Sequence, residues 1–280
     1  MTMTESASEP AYAASRRAGV LRVRRPGTEW LSTGWNGGRW TADCAYNVSV
    51  PDGWERTDLA AYVDERLERA GFGDDGDDGD EGNETDSVRR ADGPTLLTGV
   101  DQVDARGATH GPVTAYATAG ISNPAALPMD PAGDAEATGD GSESQPTDSV
   151  ADETRSRPGH GTVNLFVGTT RALEAGALSN LLAVAAEAKT ATLLAVAGAP
   201  GTTTDAVVVG HDPDGEPTPF SGSATEVGAA TRACVREALR AALRAHYDGR
   251  EESLPVSAAD ARYGVSTDIR ATVVRPPLED

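Results

Sequence analysis

Period-two alternation of apolar and polar positions organises the first part of the chain. Residues 20–24 (VLRVR), 29–33 (EWLST) and 45–50 (AYNVSV) each read as a strand, and Asn36 with its two following glycines is turn chemistry between the second and third. Helical spacing takes over at Asp58–Ala70, where Leu59, Tyr62, Val63 and Leu67 share a face and Thr57 is placed to cap the start. Strands follow at 94–100 (PTLLTGV), 113–119 (VTAYATA) and 161–167 (GTVNLFV), then a helix of mainly Ala and Leu over 177–197. Residues 205–210 (DAVVVG) read as a buried strand ending in a turn at 212–215 (DPDG). A long helix over 225–247, capped by Ser223 or Thr225, lines up Val227, Ala230, Cys234, Leu239 and Leu243; residues 268–274 (DIRATVV) predict a closing strand. Strands and helices lack a regular βαβ rhythm, which predicts an α/β or α+β fold with a mixed sheet and helices packed on one face.

Two stretches carry neither periodicity. Residues 73–93 and 129–158 are built from Gly, Asp, Glu, Ser, Thr and Pro, and bury too little apolar surface to offset the entropy of ordering. They are expected to be disordered acidic loops interrupting a single domain over 18–275, behind a flexible tail at 1–17. The Asp/Gly alternation of the first loop supplies no register of the EF-hand calcium loop.

Charge sharpens the picture. The 280 residues carry 24 bases against 44 acids, net −20, and the two loops hold −13 of that. Carboxylate-rich surface repels phosphate backbones and anionic lipid, so nucleic-acid and membrane-surface binding are excluded as general functions. Lys189 is the single lysine. Acid excess with almost no lysine fits a salt-loving cytoplasm, where high salt screens carboxylate repulsion; a codon bias towards arginine is the plainer alternative. Cys44 and Cys234 have no paired spacing, which suits a reducing compartment and suggests neither a disulfide framework nor a zinc site. The first residues show no signal peptide, and the apolar stretch 181–200 is broken by Glu187 and Lys189, so a cytoplasmic location is expected. Whether the chain forms a homo-oligomer is left open.

Familiar catalytic signatures are absent: there is no G-x-S-x-G elbow, no H-E-x-x-H, and no Walker lysine after Gly198–Gly201. The four histidines are scattered singly, so no metal site is expected. In their place stand Gly-flanked polar clusters at strand ends: 32–38 (STGWNGG), Tyr46–Asn47, 118–123 (TAGISN), 161–164 (GTVN), 187–190 (EAKT) and 201–205 (GTTTD). Each alone is better explained by an Asn or Thr turn; six together are harder to dismiss and suggest a site gathered on loops. Lys189 sits among alanines on a core-like helix, where a lysine gives a compact charge or, desolvated, loses its proton, as guanidinium does not. Glu187, two residues away, faces elsewhere on that helix. Cys234 reads as core, and a thiol enzyme is a minor option.

These clusters, taken in order through to the SGSATEVG helix start at 221–228, resemble the adenosylcobinamide amidohydrolase family of corrinoid salvage. Thr203 departs from the glycine expected inside GTTTD. The resemblance covers nearly all of the predicted core and implies hydrolysis of the amide joining the corrin ring to its aminopropanol arm. The products would be adenosylcobyric acid and 1-amino-2-propanol, with cobalt present only inside the substrate and no further cofactor. Residue chemistry is compatible: Asn36, Gly37, Asn47, Thr118, Asn123 and Asn164 are candidates for pairing with the neutral carboxamides of a corrin rim. Thr202 or Thr204, or a water held there, is the candidate nucleophile. Backbone N–H groups around Gly201 would hold the oxyanion, and Asp205, Glu187 or Lys189 the proton. Two other classes are open: a corrinoid-binding or sensing module without hydrolysis, and a self-cleaving threonine peptidase. The D-x-H-x-x-G pattern of a cobalt-ligating carrier fails around His211, where Val209 and Asp214 occupy its other two fixed positions.

Overall fold

The alternating segments pair into one eight-stranded mixed sheet. The computed structural model describes residues 10–51, 54, 56–72, 92–131, 161–251, 253–257 and 264–278. The strands are β1 (Ala13–Arg17), β2 (Val20–Ser32), β3 (Gly38–Ser49), β4 (Thr95–Thr98), β5 (Arg106–His110), β6 (Val113–Ala119), β8 (Val163–Leu173) and β9 (Ala206–Thr218). Their order is β4-β3-β2-β9-β8-β6-β5, with β1 added on β2. Within this sheet, among the described residues, only β3/β4 and β8/β9 run parallel. A separate parallel pair joins β7 (Ala125–Ala126) to β10 (Val265–Ser266). The helices are α1 (Leu59–Arg69), α2 (Ala175–Ala197) and α3 (Glu226–Tyr247).

The pleat sorts each strand's side chains into two cores. From β8, Val163, Leu165 and Val167 meet α2 and α3 together with Val113, Ala115, Val207 and Val209. Phe166, one position out of step, faces the other side with Tyr12, Leu21, Trp30, Ala45 and Val208. The α1 cluster takes the outer positions Val20, Cys44, Tyr46 and Val48. Helices therefore cover the outside, and the sheet rolls around the inner cluster. Asn47 on β3 closes the roll, donating to Thr118 Oγ1 on β6 at 2.9 Å although the two strands lie four places apart in the sheet. A two-residue bulge in β2 between Arg24 and Thr28 supplies the bend.

Several elements differ from the sequence reading. Residues 10–17 are no loose tail: Tyr12 is buried edge-on against Trp30, its hydroxyl donates to Thr169 O at 3.0 Å, and β1 pairs with β2. Ala18 and Gly19, both with positive φ, make the hairpin turn between them. Helix α1 starts one residue later than expected, capped by Asp58, whose carboxylate accepts from Ala61 N at 3.1 Å; a carboxylate also answers the positive helix end. Thr225 caps α3, accepting from Gly228 N at 3.0 Å.

The expected turn at 212–215 is a bulge inside β9, which continues to Thr218 while its register with β8 shifts between Thr169 and Arg171. Pro213 falls in that interruption, past the point where β2 leaves the other side, so its missing N–H breaks no ladder bond. The closing strand over 268–274 does not form; pairing stops at Ser266, because its partner β7 is only two residues long and Pro128 follows shortly after. Of the expected acidic loops, residues 73–91 and 132–158 lie outside the described residues, as do residues 1–9 of the expected tail. Their described edges belong to the fold: Gly93 lies against Cys44 O too closely for any side chain, and Gly93 O accepts from Asn36.

Helix α2 is long and apolar enough to cross a membrane by composition. Here it packs Leu178, Leu181, Ala185, Ala188 and Leu193 into the core against the sheet and α3.

Candidate active site

Helix α2 runs back along β8, which returns its second half to the end of the sheet where β8 and β9 begin. Lys189 projects from it and forms an ion pair with Asp205, the residue just before β9, and each side chain is only 10% exposed. The carboxylate collects three further donors. Thr202 N reaches Oδ2 at 3.1 Å, Thr202 Oγ1 reaches Oδ1 at 2.5 Å, and Val163 N reaches Oδ1 at 3.1 Å. Four donors converge on one carboxylate, so Asp205 acts as an acceptor and Thr202 has its hydroxyl proton aimed at it.

The 201–204 loop is clamped on its far side. Ala125 N donates to Gly201 O at 2.9 Å, Thr203 N donates to Asn123 O at 3.2 Å, and Asn123 Nδ2 donates to Thr203 Oγ1 at 2.5 Å. Thr204 meets Thr162 hydroxyl to hydroxyl, and Thr162 Oγ1 also donates to Thr204 O at 3.2 Å. Thr203 and Thr204 are exposed and Thr202 is buried beneath them, so the cluster opens to solvent through the threonine loop.

Gly201 is required by space. A Cβ there would lie 2.5 Å from Asp205 Oδ2 and 2.9 Å from Lys189 Nζ. Gly201→Ala is therefore expected to push the ion pair apart while leaving the sheet intact, lowering kcat about 100-fold. Steady-state kinetics beside a thermal melt measures both.

The structure brings together Lys189, Thr202, Thr204, Asp205 and Asn123, and it adds Thr162, which the sequence reading passed over for its strand neighbour Asn164. It does not bring in Glu187, which is 63% exposed and faces Arg232 on α3 at 3.7 Å. Two residues turn a helix by about 200°, so Glu187 and Lys189 cannot share a face. Three of the proposed amide-binding residues are also elsewhere. Asn47, Thr118 and Asn164 are fully buried inside the roll. Asn164 Nδ2 donates to Asn47 Oδ1 at 2.8 Å and to Leu97 O at 2.9 Å, so these groups join strands rather than face a ligand.

Asn36 is also occupied within the chain: its amide donates to Gly93 O at 3.2 Å and accepts from Thr95 N at 3.0 Å. Gly37 sits in the same tight turn, where a Cβ would lie 2.8 Å from Ser32 O and from Gly34 O. That loop is nevertheless a neighbour of the site, because Val207 N, two residues past Asp205, donates to Thr33 Oγ1 at 2.9 Å. Trp35, at its tip, is exposed. Of the backbone N–H groups expected around Gly201 to hold an oxyanion, Thr202 N serves Asp205 and Thr203 N donates to Asn123 O.

Burial pushes the Cys234 thiol up to about 11 and raises the Cys44 thiol as well, so neither is a thiolate near neutral pH. Among the described residues no group of three or more His, Cys, Asp or Glu is placed to hold a metal ion. A cavity of about 530 Å³ lies between the N-terminal ends of α2 and α3, lined by Asn180, Phe220 and Ser221. Its lining on α2, from Gly176 to Asn180, precedes Lys189 by nine to thirteen residues, about 14–20 Å along the helix, and it shares no residue with the cluster above.

A family profile described as adenosylcobinamide amidohydrolase matches residues 3–79 and 82–251 of the chain. A protein named adenosylcobinamide amidohydrolase from Halobacterium salinarum is 53% identical over 258 residues, covering 92% of this chain and 96% of that protein.

Proposed function

Because the chain belongs to the adenosylcobinamide amidohydrolase family, we propose that it hydrolyses the amide between the corrin ring of adenosylcobinamide and its aminopropanol arm. The products are adenosylcobyric acid and 1-amino-2-propanol, formed in the cytoplasm and in one-to-one amounts. The observation that carries this reading at the level of residues is the buried Lys189–Asp205–Thr202 contact.

In this reading Thr202 Oγ attacks the amide carbonyl carbon as its proton passes to Asp205 Oδ1, along the hydrogen bond that joins them. The tetrahedral intermediate collapses by breaking the C–N bond, and the proton on Asp205 goes to the departing amine. Water then attacks the Thr202 ester, gives its proton to the same carboxylate, and releases the corrinoid acid as the Thr202 hydroxyl is restored. An ammonium has three donors, and Lys189 gives one of them to Asp205. It holds the carboxylate in place and is the positive charge beside the developing oxyanion. A guanidinium is larger and planar, and would crowd a site where even a Cβ on Gly201 would come within 2.9 Å of Lys189 Nζ. Cobalt enters only as part of the substrate.

The test is chemical. Purified protein in molar salt is incubated with adenosylcobinamide, and both products are separated and quantified. Equal amounts of adenosylcobyric acid and 1-amino-2-propanol are expected; recovery of bound but intact corrinoid would make the chain a binding module.

A further inference from the structure

Beyond residue 251 the family profile no longer matches, yet residues 264–270 pair with the β7 segment that clamps the threonine loop from its other edge. Strand β10 runs parallel to β7, with Val265 N donating to Pro124 O at 2.9 Å and Thr267 N to Ala126 O at 3.1 Å. The opposite edge of β7 holds the threonine loop, through Ala125 N to Gly201 O, the Thr203 N to Asn123 O bond, and the antiparallel bridge between Pro124 and Thr202. A continuous backbone ladder therefore connects residues 265–267 to 124–126 and on to 201–203. Further along, the Arg270 guanidinium donates to Pro131 O at 2.8 Å.

The same rim is apolar and open. Val265 is 48% exposed, Leu127 57%, Met129 78% and Ile269 85%. These four are among the twelve large apolar side chains that stand exposed among the described residues, and they lie in the segments that carry β7 and β10, beside the threonine loop; apolar surface left open beside a site marks a contact. A corrinoid has the matching chemistry, since its scissile amide hangs from a broad macrocycle that is largely hydrocarbon across its faces.

We propose that residues 264–270 form the outer wall of the substrate site. Through β7 they hold Thr202 in register, and Val265 and Ile269 join Leu127 and Met129 in a shelf on which the corrin macrocycle rests. The wall rests on the amidohydrolase reading for its ligand, but binding and turnover separate the two. None of these side chains belongs to a core cluster, and Leu127 and Ile269 are more than half exposed, so changing those two moves binding more than folding.

The experiment compares the full chain with the double variant Leu127→Asp/Ile269→Asp and with Val265→Pro, in molar salt. Corrinoid affinity is read from quenching of tryptophan fluorescence by adenosylcobinamide, turnover from product formation, and folding from thermal melts. The double variant is expected to weaken binding and raise KM about tenfold or more, from the loss of two apolar contacts, with kcat and the melting temperature unchanged. Val265→Pro, which removes the N–H that Pro124 accepts, is expected to lower kcat about tenfold with little change in affinity. Unchanged affinity, KM and kcat in both variants would overturn the proposal. So would losses of activity that track a fall in melting temperature, because residues 264–270 would then be a stability element only. If the unaltered chain binds corrinoid without cleaving it, the amidohydrolase reading fails, and weakened binding by the double variant still supports the wall.

Discussion

Asp205→Asn is expected to abolish turnover while leaving a folded protein that still binds corrinoid. The substitution keeps the shape but replaces one acceptor oxygen with an NH2 group facing donors from Lys189, Thr202 and Val163. In the proposed mechanism Thr202 loses the group that takes its proton, and general-base removal lowers kcat by about 10²- to 10⁴-fold. Lys189 is left as a buried cation without its anion, so the fold also weakens, by about 3 kcal/mol. Denaturant unfolding at high salt measures that second effect, and the kinetic loss should far exceed it. An Asp205→Asn protein that turns over at the unaltered rate would remove Asp205 from the chemistry.

Thr202 gives the second large effect, and it has an internal control. Thr202→Val preserves the branched shape and removes the hydroxyl, so kcat is expected to fall about 10³-fold. Thr202→Ser restores a nucleophile on a less constrained χ1 and is expected to recover activity to within about tenfold of the original. Thr204→Val should cost far less, because the Thr204 hydroxyl bonds to Thr162 and none of its hydrogen bonds reaches Asp205. Equal losses at Thr202 and Thr204 would instead indicate a water nucleophile held between them.

How far the sequence revealed this site depends on which residues are considered. Lys189 was legible because a single lysine in an arginine-using chain, set among alanines, needs a reason. Asp205 and the threonines were legible as a polar cluster before an apolar strand. Glu187 is a proton candidate by residue type, but helix geometry sets it on another face from Lys189, and its contact with Arg232 agrees with the geometry. Asn47, Thr118 and Asn164 could not be placed. Alternation shows that a side chain faces one side of a sheet, but whether that side is open or rolled shut depends on a bulge in β2 and on Tyr12 packing from the start of the chain.

The same limit applies to the elements. Strands with strong alternation were readable, whereas β1, with Ala, Ser and Arg, forms only because β2 offers it an edge. The DIRATVV pattern at 268–274 has strand propensity, yet β7 is too short to receive it. Propensity does not tell a chain whether a partner edge exists.

The most direct measurement mixes adenosylcobinamide with a slight excess of enzyme in molar salt and quenches at intervals. Adenosylcobyric acid and 1-amino-2-propanol are then quantified for the unaltered chain and for Asp205→Asn in parallel. The Lys189–Asp205–Thr202 site requires both products in equal amounts from the first protein, and intact, bound substrate from the second. Equal product yields and rates from the two proteins would contradict it.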